Sequence, residues 1–417
     1  MSIRAGALGA LTDALTAVLA FRQPADGVLR EFFRRRRALG RQDRAFVADG
    51  VFAALRRLAS LKAQAESASP RRLAIAVTLR ELGASLRELE SGLSAAELTW
   101  AREFKAHRPA LSEAEAAELP DWLWNRLTAT MPVAERDALA RSWLEPAPLD
   151  LRVNTDKISR EEALAALAAS GIEARPTPHS PLGLRVVGKP SLLEHPLFAS
   201  GALEVQDEGS QLLGLLVAPR RHDMVADFCA GAGGKSLLLG ALMRSQGRVY
   251  AFDVSASRLS RLKPRLARSG LSNVQPTLIA DERDPRVKRL AGKLDRVLVD
   301  APCSGFGTLR RNPDLKWRHG ADAVAELAAK QVRILDAAAT LVKPGGRLVY
   351  ATCSVLPDEN ETIVEGFVAA HPAFALGDAQ AALARAGVAL DTGRVLKLST
   401  PRHGCDGFFA AVLERAA

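Results

Sequence analysis

The sequence predicts an α/β protein in three parts: an all-helical domain, a small α/β subdomain, and a doubly wound, mostly parallel sheet. Three observations carry this reading. Nothing before about residue 145 alternates like a strand. From about Gln206, apolar or β-branched runs alternate regularly with helical stretches. A glycine-rich turn, Asp227-Phe-Cys-Ala-Gly-Ala-Gly-Gly-Lys-Ser236, joins the first strong strand to a helix. Strands alternating with helices are the pattern of a parallel sheet covered on both faces.

In residues 1–145, alanine, leucine and arginine recur at helical spacing, which predicts five to seven helices. Leu11, Leu15, Val18 and Leu19 trace one half-buried face. Met1 to Ala20 carries Asp13 and lacks a basic start followed by a continuous apolar block, so it reads as an amphipathic helix rather than a signal peptide. Asp43 is the expected N-cap of a helix lined by Phe46, Val47, Val51 and Leu55. Pro120 is expected to open another, carrying Trp122, Leu123 and Leu127. Pro146-Ala-Pro148 breaks the pattern and marks a boundary. Residues 146–215 form the small subdomain, with strands expected at 149–154, 172–176 and 183–187 and a helix at 160–170. Residues 216–417 hold five further strands, at 224–228, 248–252, 277–280, 296–299 and 347–350, and a closing antiparallel pair at 394–398 and 407–413.

The net charge of +10 favours a polyanionic partner, because cationic side chains neutralise phosphates and release their counterions. Aromatic content of 5% argues against extensive base stacking. No apolar run approaches the ~20 residues of a membrane span. Cys229, Cys303, Cys353 and Cys405 are too few for a disulfide framework, and none forms the Cys-x-x-Cys pairing of a zinc site. Free thiols in a reducing, cytoplasmic compartment are expected, with no metal and no membrane, in a monomer.

Two of these cysteines follow buried strands. Cys303 stands in Asp300-Ala-Pro-Cys-Ser-Gly305 after Arg296-Val-Leu-Val-Asp300, and Cys353 in Ala351-Thr-Cys-Ser354 after Arg347-Leu-Val-Tyr-Ala351. Ligands of open α/β sheets bind beyond the carboxyl ends of the strands, so the pair suggests one active site. Buried core packing is the competing fate for such cysteines.

The glycine turn fails the phosphate-binding Gly-x-x-x-x-Gly-Lys-Ser by one position, since its first glycine would fall on Cys229. Asp227, Asp253, Asp281 and Asp300 occupy successive strand ends. A row of carboxylates repels a triphosphate but suits S-adenosylmethionine, which carries a sulfonium, an ammonium and ribose hydroxyls. Asp253 is placed for the ribose and Asp281 for an adenine amine.

At this point the residues resemble the RsmB/Nop/Sun family of RNA cytosine-5 methyltransferases. The glycine loop, Asp253, Asp300-Ala-Pro-Cys-Ser-Gly-Phe-Gly-Thr308, Arg311-Asn-Pro-Asp314, Pro344-Gly-Gly346, Thr352-Cys-Ser354, Glu359-Asn-Glu361 and Asp406-Gly-Phe-Phe409 carry the likeness. In the first half, Leu39-Gly-Arg-Gln-Asp-Arg-Ala-Phe46 with Ala54-Leu-Arg56 resembles the NusB-type helical domain of bacterial ribosomal RNA members, and Leu151-Arg-Val-Asn154 the start of a small RNA-recognition subdomain. Ala232 stands where the family frequently has proline and Ser236 where it has threonine.

The resemblance implies a Rossmann-like class I methyltransferase domain that binds S-adenosylmethionine and acts on a cytidine of RNA, 16S ribosomal RNA foremost and transfer RNA as the alternative. It implies Cys353 as nucleophile on cytosine C6, Cys303 in product release, and Asp300 near N3. Related pyrimidine methyltransferases use the Pro-Cys thiol instead. Cys229, Ala230, Gly231, Ala232, Gly233, Gly234, Lys235, Asp253, Arg258, Asp281 and Asp300 would line the cofactor. Lys235 and Arg310 are candidates to favour a thiolate. Cys405 is expected to be structural. Arg310, Arg311, Lys316 and Arg318, interleaved with Trp317, are expected to contact RNA, whereas Arg258, Arg261, Arg265 and Arg268 read as a solvated helix face. A non-catalytic RNA-binding factor and a P-loop nucleoside triphosphatase are the rival classes.

Overall fold

The computed structural model describes residues 5–188 and 190–417, in two compact units. One comprises the chain up to Pro146 together with Thr308–Ala321, and the other comprises Ala147–Gly307 and Asp322–Ala417.

The first unit is helical. Among the described residues up to Pro146 it has eight helices of eight residues or more, Ala5–Val18, Ala25–Arg35, Arg41–Arg56, Leu58–Ala65, Pro70–Arg80, Ala95–Ala106, Asp121–Thr130 and Val133–Ser142, besides single turns. The first four residues of the helix expected from Met1 lie outside the described residues. Five to seven was an undercount. Ser85, Ser94 and Ser112 each form a reciprocal capping box with Glu88, Glu97 and Glu115, starting new short helices inside one continuous apolar rhythm. Asp43 is not an N-cap: its helix starts after Gly40, and Asp43 lies in the first turn, where a carboxylate favours the positive helix end. Leu11, Leu15, Val18, Val47, Val51, Leu55, Leu73 and Val77 share one core.

The segment 308–321 belongs to this helical unit. The Arg41–Arg56 helix ends with carbonyls that have no intrahelical donor. Trp317 Nε1 donates to Leu55 O at 2.8 Å and Lys316 Nζ to Arg56 O at 3.0 Å. The Ala25 amide donates to Asp314 Oδ2 at 3.2 Å, and Arg318 pairs with the same oxygen at 3.3 Å. Lys316 is 1% exposed and Arg310 6%. These cations therefore serve internal packing, and the expected RNA-facing cluster is corrected on that point. Burial pushes the Lys316 ammonium down, with Arg56 and Arg57 adding to the effect and Glu118 opposing it.

In the second unit, β1 (Leu149–Val153), β2 (Ala174–Pro176), β3 (Gly183–Val186) and β4 (Leu203–Val205) form an antiparallel sheet in the order β2-β3-β1-β4. The helix Arg160–Ala169 packs on it, opened by a Ser159–Glu162 capping box. β4 carries only three residues and had no legible alternation.

The larger sheet holds β5 (Met224–Asp227), β6 (Arg248–Asp253), β7 (Val274–Leu278), β8 (Leu294–Asp300), β9 (Val342–Thr352), β10 (Phe374–Leu376), β11 (Val395–Leu398) and β12 (Phe408–Arg415). Its order is β10-β12-β9-β8-β5-β6-β7, with β11 also paired to β12. The β9-β8-β5-β6-β7 block is parallel throughout, and β12 runs antiparallel to β9. β7 starts three residues before the expected 277–280. Pro276 masked it, and proline is tolerated there because β7 is an edge strand. No helix among the described residues is long and apolar enough to cross a membrane.

Trp317→Ala should destabilise the helical unit by about 3 kcal/mol, through lost packing and an orphaned Leu55 carbonyl. Urea unfolding followed by circular dichroism measures this, and a change under 0.5 kcal/mol would contradict the clamping role.

Candidate active site

Adjacent parallel strands β8 and β9 pair Asp300 with Ala351, so the loops after both strands open on the same sheet edge. Cys303 lies three residues beyond Asp300 and Cys353 two beyond Ala351. Their sulfurs approach to 3.3 Å. Both thiols are free and half-buried. The Cys303 thiol is pushed well above its ordinary value, first by its hydrogen bond to Cys353, then by burial, then by the charges of Cys353 and Glu359. Cys303 thus holds its proton. Cys229 is also pushed up by burial, and Cys405 is fully buried in the core around β11 and β12.

The glycine turn lies beyond β5, the neighbour of β8 on its other side. Gly231 has φ +57°, and a side chain built there would meet nothing within 4 Å, which leaves an open cradle beside the loop. Gly233 has φ +81°, and a Cβ there would stand 2.1 Å from Leu262 Cδ1. The Gly231 amide donates to Asp253 Oδ2 at 2.8 Å, and the Ser255 amide to Asp253 Oδ1 at 2.7 Å. Ala230 is tied to β6 through Phe252 O at 2.8 Å. Asp227 is buried and accepts from Ser236 Oγ at 2.6 Å. Burial pushes its carboxyl up to about 7, with Asp300 and Asp253 adding to the shift.

Lys235 donates to Asp300 Oδ2 at 2.7 Å. Burial works against its ammonium, but the charges of Asp300, Asp227 and Cys353 outweigh burial and raise its pKa. The glycine loop and the two-cysteine edge therefore share one ion pair. Asp281 is exposed beyond β7 and accepts the Arg283 amide at 2.7 Å. Arg258 is exposed in the first turn of the helix Ala256–Ser269. Of the two candidate cations, Lys235 has its ammonium raised in part by the charge of Cys353.

Several residues of the site had no role assigned from sequence. Arg152 on β1 donates to Gly234 O at 2.7 Å and to the Gln206 side chain. Arg265 donates to Ala232 O at 2.6 Å and pairs with Glu204 at 3.0 Å. Arg268 pairs with Glu204 as well. Arg265 and Arg268 are thus half-buried anchors and not part of a solvated face. An arginine inside the apolar Leu151-Arg-Val153 run was the available signal. Ser304, Ser354, Gln331 and Tyr350 surround the cysteine loops, and only their tertiary contacts reveal it.

Among the described residues, no group of three or more His, Cys, Asp or Glu side chains could hold a metal ion. The donor set suits a ligand rich in hydroxyls and positive charge. Asp253 retains free lone pairs on both oxygens, Asp281 faces solvent, and the one loop lysine is already engaged by Asp300.

Residues 214–414 match the 16S rRNA methyltransferase RsmB/F family, and residues 119–192 match its RsmF/B-like ferredoxin-like domain. A probable ribosomal RNA small subunit methyltransferase B from Synechocystis is 36% identical over 307 residues, covering 73% of this chain and 69% of that protein. Ribosomal RNA small subunit methyltransferase B from Pasteurella multocida is 39% identical over 254 residues, covering 60% and 56%. Among solved structures, PH0851 superposes with a TM-score of 0.83 at 26% identity over the whole of both chains. A methyltransferase homologue from Pyrococcus horikoshii gives 0.58 at 27% identity, covering 71% of this chain and all of that one. On these sequence relationships, the chain belongs to the RsmB/F family of 16S rRNA methyltransferases.

Proposed function

We propose that the protein transfers a methyl group from S-adenosylmethionine to carbon 5 of a cytidine in ribosomal RNA, with Cys353 as the nucleophile. The observation that carries this reading is the 3.3 Å approach of two thiols beside a lysine–aspartate pair.

Carbon 5 of cytosine is weakly nucleophilic until a thiolate adds to carbon 6 and turns the ring into an enamine. Cys303 is the poorer attacking thiol, since its contact with Cys353 and its burial push it well above its ordinary value, and Cys353 interacts with the Lys235 ammonium. The new Cys353 Sγ–C6 bond pushes the ring electrons towards N3. The Asp300–Lys235 pair supplies a hydrogen bond or proton there. After C5 has gained its methyl group, C5 must lose its proton and the C6–S bond breaks, returning the electron pair to Cys353. Cys303, at contact distance, is placed to protonate the departing sulfur.

S-adenosylmethionine, when bound, supplies an electrophilic methyl on a sulfonium. Residues 229–235 with Asp253, Asp281 and Asp300 would hold it, with Arg258 at the margin. The open cradle at Gly231 and the carboxylate-rich donor set fit such a ligand. A triphosphate fits poorly, because Lys235 is committed to Asp300. The target base must leave any stack to reach these loops, which favours single-stranded or loop RNA. We assign residues 1–145 as a NusB-like RNA-binding domain, 146–215 as the RNA-recognition subdomain and 216–417 as the catalytic domain, acting in the cytoplasm. The net charge of +10 supports RNA affinity.

Tritium transfer from S-[methyl-³H]-adenosylmethionine to RNA lacking the modification tests the assignment. Wild type should label cytidine, Cys353→Ala should fall to background, and Cys303→Ala should accumulate a covalent RNA adduct. Activity of Cys353→Ala with loss in Cys303→Ala would reverse the two roles. Titration calorimetry should show S-adenosylmethionine binding and no ATP binding. Gly233→Ala should weaken the former by roughly tenfold, about 1.4 kcal/mol, and an unchanged affinity would remove the loop from the cofactor site.

A further inference from the structure

Glu359 is a buried carboxylate that the chemistry above does not use. Its side chain is 0% exposed, and three donors converge on it: the Ser304 amide at 2.8 Å, the Ser304 hydroxyl, and Gln331 Nε2 at 3.0 Å. Gln331 Nε2 also donates to Pro302 O at 3.0 Å. The residues on both sides of Cys303 are therefore tied to Glu359, directly or through one glutamine. The neighbouring Asn360 does the same for Cys353. Its Oδ1 accepts from the Thr352 hydroxyl, and its Nδ2 donates to Ser354 O at 3.1 Å. The two brackets meet where the Ser304 and Ser354 hydroxyls stand 3.2 Å apart. Tyr350 on β9 donates to Glu359 O at 2.6 Å, anchoring the bracket to the strand that precedes Cys353.

The physical consequence follows from satisfaction of buried groups. A buried carboxylate is tolerated when several donors converge on it, and buried donors deprived of their acceptor cost about 1–3 kcal/mol each. The Cys303 loop consequently has one low-energy position, and it is the position that brings the sulfurs into contact.

We propose that Glu359 is a positioning residue for the two-thiol site, clamping the Cys303 loop against the Cys353 loop so that the sulfurs are held in contact. Its catalytic consequence rests on the methyltransferase reading; its geometric consequence does not. Glutamine at this position keeps the volume and one acceptor oxygen but loses the charge and the second acceptor, so the Ser304 hydroxyl can no longer donate to it and the clamp weakens. Phenylarsine oxide reports the spacing directly, because its arsenic condenses with two neighbouring thiols, forming two As–S bonds and releasing water. Wild-type protein should bind it far more tightly than Cys303→Ser, which offers Cys353 alone. Glu359→Gln should lose roughly tenfold or more of that advantage, in line with the cost of small misplacements in oriented groups.

Circular dichroism and thermal unfolding establish that the variant is folded. If it is not, Ser304→Ala takes its place, since it removes one donor to Glu359 and the hydroxyl bridge between the loops and should lose part of the same advantage. Full wild-type affinity in a folded Glu359→Gln or Ser304→Ala protein would overturn the proposal. So would a wild type that binds no tighter than Cys303→Ser. In RNA methylation, Glu359→Gln should lower kcat with the KM for S-adenosylmethionine unchanged. A weakened arsenical site in a protein that methylates no RNA would sustain the clamp and sink the enzymatic reading instead.

Discussion

Parallel pairing of β8 with β9 is the constraint on which the site depends. A parallel ladder puts the carboxyl ends of neighbouring strands at one edge, and the Asp300–Ala351 register sends both cysteine loops out side by side. Pairing of β5 with β8 in the same sense brings the glycine turn to that edge too. Slipping β9 by one residue would turn Tyr350, Leu348 and Val349 to the opposite faces of a sheet buried on both sides. Core packing therefore enforces the register, and the register enforces the 3.3 Å approach of the thiols.

Charge inside the second unit is arranged in pairs and held by hydrogen bonds. Lys235 balances Asp300, Glu204 balances Arg265 and Arg268, and Arg152 is spent on the Gly234 carbonyl and Gln206. These contacts make the small antiparallel sheet part of the glycine turn's support. Two carbonyls of the glycine turn are held from the side of β1 and the helix Ala256–Ser269, which restricts how the turn's amides can point. Buried ion pairs contribute little net stability, but removing one partner leaves a costly uncompensated charge, so such pairs fix geometry more than they strengthen the fold.

The helical unit shows the same economy in another form. The stretch after the Pro-Cys motif carries four cations and a tryptophan, a composition that reads as a nucleic-acid surface. Helix ends decide otherwise. Lys316 and Trp317 complete the carbonyls of Arg56 and Leu55, and Asp314 receives Ala25, so these three residues are consumed as internal structure.

By itself the sequence determined the alternation of strands and helices, the glycine turn, the aspartates at successive strand ends and the two cysteine loops. Each is written in local periodicity or in a short motif, which contiguous residues encode. Short or edge elements were not legible: β4 and β10 have three residues each, and Pro276 hides the start of β7. Capping boxes at Ser85, Ser94 and Ser112 divided helices that the apolar rhythm had joined. Tertiary structure alone decided which cations are spent internally, that Arg152 supports a loop 82 residues away, and that Glu359 holds Ser304, next to Cys303, from 55 residues along the chain. The reason is physical. A buried polar group must find a partner, and when that partner lies on another element its identity depends on the packing of the whole chain.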